Sequence, residues 1–260
     1  MTAVFVGPLL YVFYTSLVGD HGFTLSYYGE ILSRQFYLNV FVNTIDISVS
    51  ATICTLFAAY PIAYHLSKRS ARQRALLAIL VLLPFWTSIL VKSFAFMVFL
   101  GHAGVVNNAL ANLGFERIPM LFNRVGVMIG LVHFLIPFMV FAILPNLLAQ
   151  PKELRIVADI MGAGPVRIFF RITLPLSTPG IVAGSFLCFS LSLGSFIIPA
   201  LLGGRRDMMI GNLIDFHIHE SLNWNVACAL AVALSLIAAL VALMLGRFQE
   251  DTFGQRERRS

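Results

Sequence analysis

The sequence predicts an all-α membrane protein with six spanning helices and one long polar loop between the fourth and fifth spans. Two observations support this fold class. First, 58% of the residues are hydrophobic and only 12% are charged, whereas soluble domains are about 25% charged. Second, a bilayer core of about 30 Å requires roughly 20 apolar residues of helix. Five segments reach that length, namely residues 40–66, 75–100, 125–148, 181–202 and 226–248.

The sixth span is the short apolar stretch of residues 1–18. It has no basic residue ahead of it and no small-residue cleavage site, which argues against a secretory signal peptide. Either the true start lies upstream of Met1, or this is a short tilted helix. We therefore divide the chain into a first helix (1–18), a core of five spanning helices (39–248) that contains a loop at residues 149–179, and a tail (249–260).

The distribution of Lys and Arg predicts the orientation, because short cytoplasmic loops collect positive charge. The basic residues concentrate after the second, fourth and sixth spans, which places both termini and the long loop in the cytoplasm. These residues are Lys68, Arg69, Arg72, Arg74, Lys152, Arg155, Arg167, Arg171, Arg247, Arg256, Arg258 and Arg259. The opposite side has Arg34, Arg117, Arg124, Arg205 and Arg206, and Lys92 lies within a span.

Several other functions find no support in the sequence. The net charge of +6 follows from this loop distribution, without the aromatic-flanked platform or zinc spacing typical of nucleic-acid binding. The chain has no Walker-type glycine loop and no nucleophile elbow, so we expect a non-enzyme whose energy source is a partner. His217 and His219 form only a weak metal motif, because two histidines at i, i+2 lack nearby cysteines.

The loop after the fourth span is predicted to form two short helices joined by a tight turn. The first begins after Pro151 and ends near Met161, because Gly162 favours a helix stop. Pro165 opens the second helix, which displays Arg167 and Arg171 on one face and Ile168, Phe169 and Ile172 on the next. Leu174-Pro175 and Pro179-Gly180 are expected to end it. Its apolar face fits either packing on the bundle or docking to a partner.

The loop resembles the cytoplasmic EAA loop of ABC-importer permeases. The resemblance rests on Gly162-Ala163, Phe169, Ile172, Leu174-Pro175 and Pro179-Gly180-Ile181. The family's Glu-Ala-Ala opening falls on Ile156-Val157-Ala158, where only the last alanine is kept. The resemblance implies a coupling helix that docks to a cytoplasmic ATP-binding subunit. The coupling residues it suggests, together with the helix pattern, are Gly162, Ala163, Arg167, Ile168, Phe169 and Ile172.

Most of the remaining chain is similar to the first permease subunit of spermidine/putrescine importers. The motifs are Leu83-Pro84-Phe85-Trp86-Thr87-Ser88, Ile129-Gly130-Leu131-Val132, Leu135-Ile136-Pro137-Phe138-Met139, Leu201-Leu202-Gly203-Gly204 and Met209-Ile210-Gly211-Asn212. The resemblance implies a six-helix type I importer subunit in the bacterial inner membrane. Its expected partners are a second related permease, two ATP-binding chains that hold ATP and Mg²⁺, and a periplasmic substrate-binding protein; this chain itself would hold no cofactor.

Three polar residues inside the spans, Asp46, Lys92 and His133, suggest where a cargo passes. At about 1.5 Å of rise per residue, all three lie in the outer half of the bilayer. Charges within a bilayer are costly, so Asp46 and Lys92 are interpreted either as a neutralising pair or as part of a vestibule in which Asp46 attracts a cation. Trp86 offers a ring face for cation–π contact with that cation.

Two further segments carry alternative interpretations. Ser185, Cys188, Ser192 and Ser195 share one helix stripe, which fits helix packing towards Gly180 and Gly184 or a path lining towards Ser192 and Ser195. The loop of residues 203–225 is either solvated or docks the binding protein through rim salt bridges. The residues predicted for docking are Arg205, Arg206, Asp207 and Asp215.

Together these features predict import of a small cation, most simply a polyamine, by alternating access. Iron(III), aminoethylphosphonate or another amino compound remains an alternative cargo. A secondary transporter driven by an ion gradient is the alternative class, although the sequence shows no convincing inverted repeat.

Overall fold

The computed structural model describes the backbone of residues 2–19 and 22–257, and the side chains of residues 6–19 and 22–243. Met1 of the predicted first helix and residues 258–260 of the predicted tail, which include Arg258 and Arg259, lie outside the described residues. The side chains of Arg247 and Arg256 also lie outside them. The backbone of residues 249–257 continues the last helix.

The described chain is almost entirely helical, as predicted for an all-α fold. A two-stranded antiparallel ribbon, β1 (Val18–Gly19) and β2 (Gly22–Phe23), follows the first helix. The helices are α1 (Thr2–Leu17), α2 (Ser26–Ser33), α3 (Gln35–Ser67), α4 (Ala71–Leu82), α5 (Ile89–Leu100), α6 (Val105–Asn112), α7 (Arg124–Leu148), α8 (Lys152–Ile160), α9 (Pro165–Ile168), α10 (Leu174–Leu193), α11 (Ile197–Leu202), α12 (Ile210–His219) and α13 (Trp224–Glu257).

Five of the described helical segments are long and apolar enough to cross a bilayer. They are Gln35–Ser67, Ile89–Asn112, Arg124–Leu148, Pro165–Leu193 and Trp224–Leu243. A shorter apolar helix, Val6–Leu17, corresponds to the predicted first span. The membrane fold class is therefore confirmed, whereas the sixth crossing stays a prediction.

The third span does not form the single helix predicted for residues 75–100. Helix α4 passes into a 3₁₀ turn at Leu83–Trp86, and Thr87 then adopts an extended conformation before α5 begins. Pro84 lies within the 3₁₀ turn, where its missing N–H removes a hydrogen bond that a continuous α-helix requires. The predicted span was therefore wrong in being uninterrupted.

The predicted bounds of the fifth span, residues 181–202, were also wrong at both ends. Helical structure runs without a break from Pro165 to Leu193, and a second break precedes α11. Pro175 does not end the loop helix because a π-turn at Phe169–Thr173 precedes it, in which the Leu174 N–H bonds to the Phe169 carbonyl. The wider turn leaves room for a proline ring that would otherwise clash with a carbonyl four residues earlier.

The chain forms two compact units. Unit 1 contains residues up to Val49, Ile89–Gly130 and Ser192–Leu243, and unit 2 contains Ser50–Ser88, Leu131–Leu191 and residues from Met244. Unit 1 has a core cluster formed by α2, α3, α12 and α13. Its buried members are Ile31, Tyr37, Val40, Ile210, Leu213, Val226, Ala229 and Leu230.

Unit 2 is organised by close packing of α7 and α10. A Cβ added at Gly180 would lie 2.7 Å from Asn146 Nδ2, and one added at Gly184 would lie 2.8 Å from Met139 Sδ. Only glycine permits such an approach without displacing a neighbour. The prediction that these two glycines mediate close helix packing is confirmed.

Candidate functional site

The loop between α7 and α10 forms the predicted helix–turn–helix. Helix α8 ends at Ile160, and Gly162 adopts a left-handed conformation (φ +79°) that turns the chain. Gly164 caps α9, and Pro165 occupies its first turn. The turn is closed by a hydrogen bond from the Ala163 N–H to the Ala158 carbonyl (2.9 Å). The local sequence therefore forms the turn through the glycines and the proline.

Phe169 lies against the end of α3 within unit 2. Its ring makes edge-on contacts with Tyr60 (centroid distance 5.7 Å) and Tyr64 (5.4 Å). The Tyr60 hydroxyl also hydrogen-bonds Ser177 Oγ over 2.9 Å. The structure thus gives Phe169, predicted as a docking residue, the alternative role of packing on the helix bundle. Phe170, the next residue, is 60% exposed.

Exposed apolar side chains cover the outer surface of the loop. We call this set the loop surface; it consists of Leu154, Ile156, Val157, Ile160, Met161, Val166 and Phe170. Among the predicted coupling residues, Gly162 and Arg167 are exposed, whereas Ala163, Ile168 and Ile172 are half-buried. A cluster of exposed apolar side chains of this kind is typical of a surface that contacts another protein or a membrane.

A polar brace joins the two ends of the loop. Gln150, just after α7, donates from Nε2 to the Thr173 carbonyl (3.0 Å) in the π-turn. Arg155 of α8 donates to Gln150 Oε1, also over 3.0 Å. These bonds tie α8 and the π-turn that precedes α10 to the same side chain.

In unit 1, Asp46 belongs to a polar cluster at the start of α7. Arg124 contacts the Asp46 carboxylate through Nη2 and donates from Nη1 to Asn43 Oδ1 (2.9 Å). Asn43 donates in turn to the carbonyls of Arg206 (3.0 Å) and Met208 (2.9 Å). Asp46 thus has a basic partner that the sequence analysis did not predict, although its side chain is 62% exposed. Neutralisation by Lys92 is not needed to account for this charge.

The other predicted path residues are divided between the two units. Lys92, Ser192 and Ser195 lie in unit 1 with Asp46, whereas Trp86 and His133 lie in unit 2. Trp86 is 74% exposed, and Lys92 and His133 are half-buried. Among the described residues, the buried hydroxyls of Ser192 and Ser195 have no hydrogen-bond partner. Their role as a path lining stays a prediction.

The residues predicted to dock a binding protein differ in availability. Arg205 and Arg206 are exposed, but Asp207 is only 7% exposed, and its carboxylate accepts the Gly204 N–H at 3.0 Å. Asp207 therefore holds its own turn and is poorly placed for a rim salt bridge. Asp215 pairs with His219 (Oδ1 to Nδ1, 3.1 Å) on the exposed side of α12.

His217 is engaged on both ring nitrogens. Nε2 lies 3.1 Å from the Tyr37 hydroxyl, and Nδ1 lies 2.8 Å from Ser221 Oγ. Burial lowers the pKa of His217, and the charge of Glu30 partly opposes this shift. The described residues contain no group of three or more His, Cys, Asp or Glu able to hold a metal ion. The structure thus gives His217 partners other than a metal.

Sequence reasoning missed the residues that anchor these groups. Tyr60 and Tyr64 are one helical turn apart at the end of α3, a spacing that indicates a shared face. Asn43 lies three residues before Asp46, which also places the two on one face. Nothing in the sequence pattern links Gln150 to Thr173, because the contact depends on how the loop folds back.

The long apolar helices and the helix–turn–helix loop define a type I ABC-importer permease fold. Residues 40–252 match the family of binding-protein-dependent transport system inner membrane components, so the chain belongs to this family. It is 35% identical over 218 residues to the spermidine/putrescine transport system permease protein PotB of Haemophilus influenzae, covering 83% of this chain and 76% of the relative. It is 33% identical to PotB of Escherichia coli K12, covering 86% and 82%.

A solved structure has a similar fold. The chain matches one chain of a bacterial alginate ABC transporter in complex with alginate pentasaccharide-bound periplasmic protein, with a TM-score of 0.77. The match covers 97% of this chain and 89% of that chain at 19% identity. At this identity the likeness shows the fold alone.

Proposed function

We propose that this chain is the permease subunit of an ATP-driven importer that moves a polyamine such as spermidine or putrescine into the cytoplasm. The cargo is supported by the two relatives, whose names state spermidine/putrescine transport. The same similarity favours polyamines over iron(III) and aminoethylphosphonate.

The observation that best supports the ATP-driven class is the loop surface. Clusters of exposed apolar side chains mark contacts with another protein or with a membrane, and this one consists of leucine, isoleucine, valine, methionine and phenylalanine on a loop outside the spans. In this proposal one ATP-binding subunit docks on this loop and a second docks on the corresponding loop of the partner permease. Both ATP-binding subunits hold ATP and Mg²⁺. The second membrane subunit is a related permease, and a periplasmic protein delivers the cargo.

The proposed mechanism is alternating access, in which the loop transmits motion from the ATP-binding subunits to the spanning helices. ATP binding draws the two ATP-binding subunits together, and each carries its docked loop with it. Phe169 transmits this displacement to α3 through Tyr60 and Tyr64, and Gln150 transmits it to α10 through Thr173. This movement opens the outer vestibule, and the inward-facing state returns after hydrolysis. The chain performs no bond chemistry.

The proposed topology has six crossings and both termini in the cytoplasm of a bacterial inner membrane. It is supported by the basic residues after α3 and after α7, which include Lys68, Arg74, Lys152 and Arg155. The orientation is tested by the accessibility of Ser70→Cys and Arg205→Cys to an impermeant maleimide, in a background from which Cys54, Cys188 and Cys228 have been removed. Labelling of residue 70 from the periplasm would contradict the orientation.

Reconstitution into proteoliposomes tests the transport function. The chain is co-expressed with a partner permease, an ATP-binding subunit and a periplasmic binding protein, and uptake of radiolabelled spermidine is measured. We expect uptake that requires ATP and the binding protein, with iron(III) and aminoethylphosphonate as comparison cargoes. Accumulation of solute by this chain alone under a proton gradient would overturn the proposal.

The docking role of the loop surface is tested by Phe170→Asp. We expect the variant to insert into the membrane normally and to lose co-purification with the ATP-binding subunit, because a charge replaces an exposed apolar contact. Glu153→Gln on α8, at an exposed position outside the loop surface, is the control. Undiminished co-purification of Phe170→Asp would count against docking at this surface.

A further inference from the structure

A cleft with several basic residues lies in unit 2, at the ends of α3 and α7 and the starts of α4 and α8. Its volume is about 470 Å³. We call it the basic cleft. Its lining residues are Ser67, Lys68, Arg69, Arg74, Leu147, Leu148, Gln150, Lys152 and Arg155. Two of these residues, Gln150 and Arg155, also form the polar brace.

The lining carries five cationic side chains and no carboxylate. Some of these cations have neutral partners: Lys68 Nζ lies 4.1 Å from the centre of the Tyr64 ring, and Arg69 Nε lies 3.1 Å from His65 Nε2. Among the described residues, no Asp or Glu forms a salt bridge with any of the five. Like charges around one cavity repel each other, so an anion within it is stabilised by all of them.

The position of the cleft indicates which anion is available. Ser67 is the last residue of α3 and Leu148 is the last residue of α7, and both helices are candidate spans. Leu147 and Leu148 provide an apolar wall beside the cations. A phospholipid at a membrane surface presents this combination, with a phosphate at the level of the helix ends and acyl chains beside the apolar residues.

We propose that the basic cleft binds the phosphate of an anionic phospholipid headgroup from the cytoplasmic leaflet. The proposal rests on the orientation given above and does not depend on the cargo or the ATP-binding partner. A free phosphate offers the same anionic group, but it has no apolar part that could pack against Leu147 and Leu148. The cleft also joins the loop, because Arg155 lines it and donates to Gln150, which holds Thr173. A bound headgroup therefore contacts the polar brace that positions α8.

The experiment is lipid titration of the purified full-length chain by native mass spectrometry. Cardiolipin and phosphatidylglycerol are compared with phosphatidylcholine, and a parallel titration uses inorganic phosphate alone. We expect one tightly retained anionic lipid and no comparable retention of phosphatidylcholine. Arg74→Gln should weaken cardiolipin binding about fivefold, and the Arg74→Gln/Lys152→Gln double variant about 25-fold, as expected for loss of one and two surface cations.

Arg72→Gln is the matched control. Arg72 and Arg74 lie in the first turn of α4 and carry the same charge, but only Arg74 lines the cleft. We expect less than a twofold effect from Arg72→Gln. Lys152→Gln alone is a second variant at an exposed position, which keeps the test informative if Arg74→Gln does not fold.

Three outcomes would overturn the proposal. Equal weakening by Arg72→Gln and Arg74→Gln would show diffuse attraction to surface charge. Binding of inorganic phosphate with the same dependence on Arg74 would assign the cleft to a soluble anion. If Arg74→Gln retains the lipid as the unaltered chain does but no longer co-purifies with the ATP-binding subunit, the basic cleft is a protein contact. Lipid retention by the purified chain is measured without transport and without an ATP-binding subunit, so loss of lipid binding is distinguishable from failure of the proposed function.

Discussion

Phe169 and Phe170 are adjacent, identical in type and opposite in environment, which makes them a matched pair for testing how the loop is held. Phe169 contacts Tyr60 and Tyr64. Phe170 is largely exposed and makes one edge-on contact, with the Phe169 ring, at a centroid distance of 5.1 Å. We expect Phe169→Ala to loosen the loop and Phe170→Ala to leave it in place. Both changes remove the same atoms from neighbouring positions.

The magnitude follows from the contacts. Each edge-on aromatic pair contributes about 0.5–1.5 kcal/mol beyond its buried area, and half-burial of a phenylalanine contributes about 1 kcal/mol. Loss of two pairs and this burial weakens loop docking by about 2–4 kcal/mol. Phe170→Ala removes one ring contact from a mostly exposed side chain, so we expect a cost of no more than about 1 kcal/mol.

Hydrogen exchange measured by mass spectrometry is the assay, because it reports local opening. A loss of about 2 kcal/mol corresponds to roughly 30-fold faster exchange in peptides covering residues 152–173. Phe170→Ala should accelerate exchange less than about fivefold in the same peptides. Equal exchange in the two variants, or unchanged exchange in Phe169→Ala, would refute the assignment of Phe169 as the residue that packs the loop on α3.

Three further predictions concern other parts of the chain. A double-mutant cycle of Asp46→Asn and Arg124→Gln, read by thermal unfolding, should give a coupling below about 1 kcal/mol, because the pair is partly exposed; a larger coupling would show a desolvated pair. Burial lowers the pKa of His217 in the folded chain, so as the pH falls this histidine is protonated in the unfolded chain before it is protonated in the folded one. The free energy of unfolding should therefore fall as the pH drops below about 6.5. His217→Gln should flatten this dependence, and an unchanged pH profile would contradict it. Gly180→Ala should lower stability by about 1–3 kcal/mol, measured by unfolding, since the added Cβ meets Asn146 at 2.7 Å; Gly164→Ala, where a Cβ meets nothing within 4 Å, is the control.

Prolines show why the sequence predicted the existence of spans better than their continuity. Pro61 and Pro137 lie inside unbroken helices, and Pro175 follows a π-turn without ending its helix. Pro84 instead lies in a break of the third span. The residue type is the same in each case, and the outcome depends on whether the surrounding turn can supply space and hydrogen bonds. Such compensation is not encoded in a local pattern.

The candidate site shows the same limit. The helix–turn–helix of the loop was predictable, because Gly162, Gly164 and Pro165 impose their conformations locally. The direction of Phe169 was not, since its partners Tyr60 and Tyr64 are about a hundred residues away in sequence. The sequence also did not identify Arg124 as the partner of Asp46, because several basic residues lie on the same predicted side of the membrane.

The sequence by itself determined that the chain belongs in a membrane, because apolar length and charge distribution respond to the bilayer whatever the helices pack against. It also determined the turn in the loop and the glycines that allow α7 and α10 to approach. Only the tertiary structure decided which apolar side chains of the loop are covered and which stay exposed. It also decided that basic residues from the turn after α3, from α4 and from α8 line one cleft. Those properties depend on distances between segments that are remote in the chain, and no local periodicity specifies them.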